Sequence, residues 1–229
     1  MKLPRLVGGR FVRRVNRFRV TVAIGGVEVD AHLPNSGRLT ELLTLGRECW
    51  LEPAGNPRRK TAFDLKLVAY AGTLVSVDAR LPNPLLAEAL EDQRLAPFRH
   101  ARGFDREVFL GDSRIDFQLR MPGGILWIET KSVTLVEDGV ALFPDSPTAR
   151  GSRHLRSLAE AARGEDQAAV VFVVQRSDAQ LFAPHASADP LFARTLRQAA
   201  DGGVGVYAWS CRVSRGAIEM DRRISIDLV

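Results

Sequence analysis

Cysteine is scarce in this chain: only Cys49 and Cys211 occur in 229 residues, and no C-x-x-C spacing joins them. Neither a disulfide framework nor a zinc site is indicated, so both cysteines are expected in the core. Long apolar runs are missing too. The longest, AAVVFVV at 168–174, is about a third of the length a spanning helix needs. The opening MKLPRLVGGRFVRRV has no apolar secretory core, which predicts a cytoplasmic protein that makes no use of a membrane. Lysine is almost absent, standing only at Lys2, Lys60, Lys66 and Lys131. Positive charge is therefore carried by arginine, which suits bidentate phosphate contacts and equally fits a GC-rich genome.

What is present is ordinary in bulk: 45% hydrophobic and 26% charged residues, enough for one large domain or two small ones. The charge is unevenly spread. Residues 1–80 hold 14 Lys/Arg against 7 Asp/Glu, a net of +7, whereas residues 81–229 hold 18 against 20, a net of −2. In RRVNRFRV the alternation places Arg17, Arg19 and Thr21 on one face and Phe18, Val20 and Val22 on the other, while NPRRK adds Arg58, Arg59 and Lys60 on a loop. A basic strand face with basic loops is what an oligonucleotide groove requires. It is equally what a solvated face looks like, and Phe11, Phe63 and Trp50 are the few aromatics at hand for stacking.

The first 80 residues read as short strands, RFVRRV, FRVTVAI, VEVDAHL, ECWLE, FDLKLVAY and TLVSVDA. Turn signals at Gly25-Gly26, Pro34 to Gly37, Asn56-Pro57 and Gly72 separate them. With one helical turn near RLTELL, they predict a small closed barrel of OB type over 1–80. A linker is expected at about 80–84, around LPNP. Beyond it, over 81–229, the patterns give a helix at LLAEALEDQRL and strands at REVFL, RIDFQL and ILWIETK. A helix from Ser152 to Arg163, a buried strand at AAVVFVV, a helix from Pro190 to Ala200 and a strand at VGVYAWSC follow, which is an α/β domain with a mixed sheet.

One hairpin is unusual. In SRIDFQLRMPGGILWIETKSVTL, a turn at Pro122-Gly123 sets Asp116 opposite Glu129, and one at Gly123-Gly124 sets it opposite Lys131. Either way the alternation predicts that the three charged side chains share a face. Two carboxylates about 5 Å apart repel by roughly 3 kcal/mol at an effective dielectric of about 20. A divalent cation satisfies both and frees Lys131 for another anion; a simple cross-strand Glu-Lys pair is the alternative.

Asp116 followed by Glu129-Thr130-Lys131 on adjacent strands resembles the PD-(D/E)xK nuclease superfamily. The whole chain resembles the sugar fermentation stimulation protein A family, through HLPNSGRL, NPRRK, LPNPLLAEAL, SRIDFQL, ETKSVTL, ALFPD, TARGSRHL and VVQRSD in that order. It departs from that pattern at Thr130 and Ser132, where Val and Asn are expected, and at NSGRL in place of NTGSM. The resemblance implies an OB barrel followed by a nuclease-like α/β domain, a DNA partner and a regulatory link to sugar metabolism, notably that of maltose. An active nuclease is the alternative.

In that scheme Asp116 and Glu129 hold Mg²⁺ or Mn²⁺, and Lys131 orients the nucleophile and offsets charge. Glu88 on the preceding helix would complete the metal shell, or is a solvated helix residue. Gln175 contacts the metal water or the nucleic acid, or is a plain strand-end residue; Glu107 reads better as half of an ion pair. Arg150 and Arg153 stand near a helix N-terminus, where backbone N–H groups favour phosphate. His154 reads more readily as structural than catalytic. No carboxylate pair stands at a glycosidase-like position, so direct sugar processing is not expected.

Overall fold

A computed structural model describes residues 1–56 and 58–229; the turn expected at Asn56-Pro57 lies in part outside them. All six alternating runs of the first 80 residues form strands: β1 Val7–Asn16, β2 Arg19–Ile24, β3 Val27–His32, β4 Glu48–Pro53, β5 Phe63–Tyr70 and β6 Thr73–Ser76. They lie in the order β3-β2-β1-β4-β5-β6, and a parallel pairing of β3 with β5 at Ala31↔Phe63 closes the first five into a barrel. The inward positions, among them Phe11, Val20, Val22, Leu51, Leu65 and Val68, fill it.

RLTELL forms the expected single helical turn, the Leu43 N–H donating to the Leu39 carbonyl at 2.9 Å, and puts Leu39 and Leu42 in the barrel core. The alternation in RFRV is displaced. Arg17 and Phe18 form the turn between β1 and β2, so Phe18 is exposed, while Thr21 is buried and donates to Asp30 Oδ1 at 3.1 Å.

The remaining chain forms α1 Pro82–Glu91, β7 Phe104–Leu110, β8 Ser113–Met121, β9 Gly124–Val133, β10 Val136–Glu137, β11 Val140–Phe143 and α2 Ala149–Arg163. After these come β12 Gln167–Val174, β13 Leu181–Pro184, α3 Pro190–Asp201, β14 Gly205–Val213, β15 Ile218–Arg223 and β16 Ser225–Ile226. The main sheet runs β15-β14-β12-β9-β8-β7, with β9, β12 and β14 parallel and the outer pairings antiparallel. Strand β12 is buried on both faces, as a run without polar alternation requires. Its Ala169, Val171 and Val173 pack on the side of α1, and its Val170, Phe172 and Val174 on the side of α2 and α3.

The sequence pattern misses the small second sheet β10-β11-β13-β16, whose strands of two to four residues are too short to show a period. Helix α2 begins three residues before its expected start, because Thr148 caps it by accepting the Gly151 N–H at 3.1 Å. Among the described residues no helix is long and apolar enough to cross a membrane.

LPNP is no free linker. Its prolines open α1, where a missing N–H costs nothing. The barrel is stitched to the sheet beside it: the Ser76 hydroxyl donates to Gln175 Oε1 at 2.9 Å, and Gln175 Nε2 donates to the Asp78 carbonyl at 3.1 Å and Ser132 Oγ at 2.9 Å.

Candidate functional site

The hairpin turns at Pro122-Gly123. Pairing runs from Met121↔Gly124 to Phe117↔Ile128 and stops there. Beyond that point β9 keeps its partner on one side only, with Val170↔Glu129 and Phe172↔Lys131 along β12. Where β8 parts from it, Asp116 supplies a carboxylate to the open backbone: Oδ2 accepts the Thr130 N–H at 2.7 Å and the Thr130 hydroxyl at 2.7 Å, and Oδ1 accepts from Asn83 of α1 at 2.8 Å.

The alternation of β8 breaks at this residue. Ile115 packs with α2 while Phe117 packs with α1, and on β7 the residue between their partners Val108 and Arg106 is Glu107, at φ +58°. The simple expectation of one shared face is thereby corrected. Asp116 is anchored to α1 and Thr130, Glu129 is anchored to α2, and the two line one cleft of about 250 Å³ together with Lys131, Arg80 and Arg150.

Glu129 is 4% exposed. Its Oε1 accepts from His154 Nδ1 at 2.6 Å and from the Lys131 ammonium, whereas Oε2 has no protein partner. Arg150 Nε donates to His154 Nε2 at 3.3 Å, which leaves the imidazole proton on Nδ1, facing Glu129. Burial, the largest influence, pushes the Glu129 carboxyl up, but Lys131 and His154 together outweigh it and hold it below the usual range. The cleft therefore contains a buried carboxylate that is ionised and only half satisfied.

The other expected site residues are divided. Arg150 reaches the cleft; Arg153 is exposed on the next part of α2. Glu88 does not reach it, since its carboxylate is taken by the Met1 ammonium at 2.7 Å and by Arg94 at 3.5 Å; Asn83, on the turn of α1 that faces Asp116, occupies that place. Gln175 is fully buried and spends its amide on the barrel junction, away from the carboxylates. Glu107 pairs with Arg114 at 2.7 Å.

In the barrel, Arg19 pairs with Asp30 at 3.2 Å, Arg59 pairs with Asp64, and Arg17, Arg58 and Lys60 are exposed. Phe11 is buried in the core, which removes it as a stacking residue, while Trp50 lies beneath the Arg215 guanidinium. Sequence reasoning missed Asn83 and Arg80 in the cleft. Arg80 precedes and Asn83 lies within the LPNP segment, whose proline-rich spelling pointed to a linker rather than to a wall of the site.

Fold and site define a class: a closed OB barrel followed by an α/β domain with mixed sheets, with a carboxylate-lined cleft at their junction. Residues 12–77 match the SfsA N-terminal OB domain, and residues 80–217 match the sugar fermentation stimulation protein RE domain. The chain belongs to the sugar fermentation stimulation protein A family. It is 45% identical to the sugar fermentation stimulation protein homolog of Moorella thermoacetica over the full length of both chains. Its identity to the homolog of Chloroflexus aurantiacus is 44%, over 96% of this chain and 85% of that one. Among solved structures, that of Pyrococcus furiosus SfsA in complex with Ca²⁺ matches with a TM-score of 0.91 at 30% identity, covering 99% of this chain and 98% of that one.

Proposed function

We propose that this protein binds DNA in the cytoplasm, with the basic barrel gripping phosphates, and holds Mg²⁺ or Mn²⁺ in a nuclease-like site at Asp116 and Glu129. The observation that carries the reading is Glu129 Oε2, a buried and partnerless oxygen on an ionised carboxylate that lines the cleft. Leaving such an atom unsatisfied costs about 1–3 kcal/mol or more, a cost that oxygen-to-metal ligation removes.

The donor set fits a hard cation, because Asp116 and Glu129 offer only oxygen. Among the described residues no cluster of three His, Cys, Asp or Glu side chains surrounds the cleft, so water and substrate oxygens would complete the shell. The related Pyrococcus furiosus protein was solved as a complex with Ca²⁺, itself a hard cation, which supports the same choice. Once bound, such a cation supplies charge neutralisation and polarisation of a phosphate oxygen. Arg150 and Arg80 border the same cleft and bring positive charge to that phosphate.

Calorimetric titration of the protein with Mn²⁺, beside the Glu129→Gln variant, tests the metal site. Binding by the wild type that the variant loses is expected; equal binding by the two proteins would remove the site. Lys131, against Glu129 in the cleft, favours a further reading in which the bound strand is cut. Metal-dependent cleavage of labelled DNA that Lys131→Ala abolishes would establish it. The link to regulation of sugar metabolism rests on the family's name and is tested by mapping where the protein sits on the genome.

A further inference from the structure

The turn at Arg17 and Phe18 is held far more tightly than an exposed turn requires. The Arg14 guanidinium donates to the carbonyls of Arg17 at 2.7 Å and Arg38 at 2.6 Å, with longer bonds to those of Asn16 and Asn35. The Phe18 N–H is taken by Asn16 Oδ1 at 2.9 Å, and its carbonyl accepts the Leu33 N–H at 2.9 Å and lies 3.0 Å from His32 Nδ1. On this saturated backbone Phe18 is 47% exposed and takes no part in the barrel core. The Arg17 guanidinium stands 5.5 Å from its centroid.

Arg17 also lines a polar cavity of about 220 Å³ between the Asn35–Gly37 loop of the barrel and the Phe143–Thr148 loop of the second domain. That cavity shares Ala79 and Ser132 with the Glu129 cleft. A half-exposed aromatic on a fixed turn, an arginine beside it and a polar cavity that shares two lining residues with the carboxylate cleft therefore stand one after another, and together they mark out a path.

We propose that this path receives an unpaired strand of DNA, with one base stacked on Phe18, a phosphate on Arg17, and the strand led through the interdomain cavity to the Glu129 cleft. The inference rests on the DNA-binding reading and narrows it to single strands and frayed ends. Base stacking on an exposed ring is sequence-tolerant and needs a base free of its partner. Duplex DNA keeps its bases stacked inside and offers this ring only backbone, so the preference follows from the geometry of the platform. Fixing the turn backbone beforehand lowers the entropy lost on binding.

The test is fluorescence anisotropy with a labelled oligodeoxythymidine and a blunt duplex of equal length, using wild type, Phe18→Ala and Phe18→Trp. Phe18→Ala should weaken the single strand by about 5- to 150-fold and leave the duplex unchanged, and Phe18→Trp should restore single-strand affinity. Equal loss on both DNAs, no loss on either, or failure of Trp to restore binding would overturn the inference while leaving DNA binding intact. Absence of binding by the wild type to either DNA would overturn the DNA-binding reading and this inference with it. Matching thermal midpoints of the three proteins exclude a folding defect, as expected for a ring outside the core.

Discussion

Two buried charge clusters flank the junction between barrel and sheet, and they differ in one atom. At Asp78 every lone pair has company: Oδ2 accepts from Lys66 at 2.7 Å and Arg80 at 2.7 Å, and Oδ1 accepts from the Arg80 N–H at 3.0 Å and its Nε at 2.8 Å. At Glu129 one oxygen is shared by Lys131 and His154 and the other has no protein partner. In both, burial raises the carboxyl and neighbouring cations outweigh it, so both sit below the usual carboxylate range. Charge, burial and pKa direction do not separate these two clusters; hydrogen-bond completeness does. The satisfied cluster ties β5 to the segment that leaves β6 at the end of the barrel, and the incomplete one awaits something from solvent.

The sharpest way to break that comparison is to make the first cluster incomplete. Lys66→Met strands Asp78 without its ammonium, and removing one partner of a buried pair costs about 3–5 kcal/mol. Urea unfolding should show that loss with Mn²⁺ affinity of the folded protein unchanged; a neutral effect would mean that the cluster does not hold this end of the barrel.

Next in size is Asp116→Asn. Repulsion between bare carboxylates would let this variant gain stability. The structure reverses the sign, because Asp116 is the acceptor for the Thr130 N–H and Glu129 already has two cationic or polar partners. Turning an acceptor into a donor there should cost about 1–3 kcal/mol, read from the same unfolding curves, and should also abolish Mn²⁺ binding.

Acid titration sharpens the comparison further. A carboxyl held below its unfolded value, 3.8 for Asp78, contributes stability above that value and loses it as pH falls toward the folded one. Wild-type stability should therefore drop across the acid range, and Lys66→Met should show a shallower drop, since Asp78 has lost part of what holds it down. Parallel curves for the two proteins would contradict the assignment.

The smallest effect is expected at Glu41. Burial, the main cause, raises its carboxyl, with Arg176 acting against this, and its Oε1 is buried without a partner. A raised value means that the ionised form burdens the fold at neutral pH and that protonation relieves it. Glu41→Gln should be slightly more stable than wild type near neutrality, with the gain vanishing on acidification. A gain that persists in acid would point to packing rather than charge.

Much of the architecture was legible in the sequence because it rests on periods the core enforces. The six strands of the first 80 residues and the unbroken apolar run of β12 follow from burial on one face or two, whereas turns at Pro122-Gly123 and Gly123-Gly124 keep the same alternation, so burial alone does not choose between them. The site was legible as residue types but not as geometry. Strict alternation puts Asp116 on the face of Glu129, and only the break at Ile115 and Phe117 shows how β8 leaves β9. Glu88 lies further along the same helix than Asn83, and nothing local tells which of the two faces the cleft. Gln175 stands at the end of a buried strand, but whether its amide meets a metal or another domain depends on a contact with Ser76, far away in the chain. The alternation of its neighbours places Phe18 with the core residues, but a two-residue turn interrupts that alternation.

The bond from the Thr130 N–H to Asp116 has a further use. Sheet amides are closed by other amides, and their exchange with solvent reports on the opening of the whole sheet. This one is closed by a side chain that also faces the cleft, so its exchange rate tracks the carboxylate instead. A ligand that draws Asp116 toward the cleft loosens this single latch while its neighbours along β9 and β12 stay protected. The proton on Thr130 is thus an internal probe of occupancy, readable without a label and independent of whether any strand is cut.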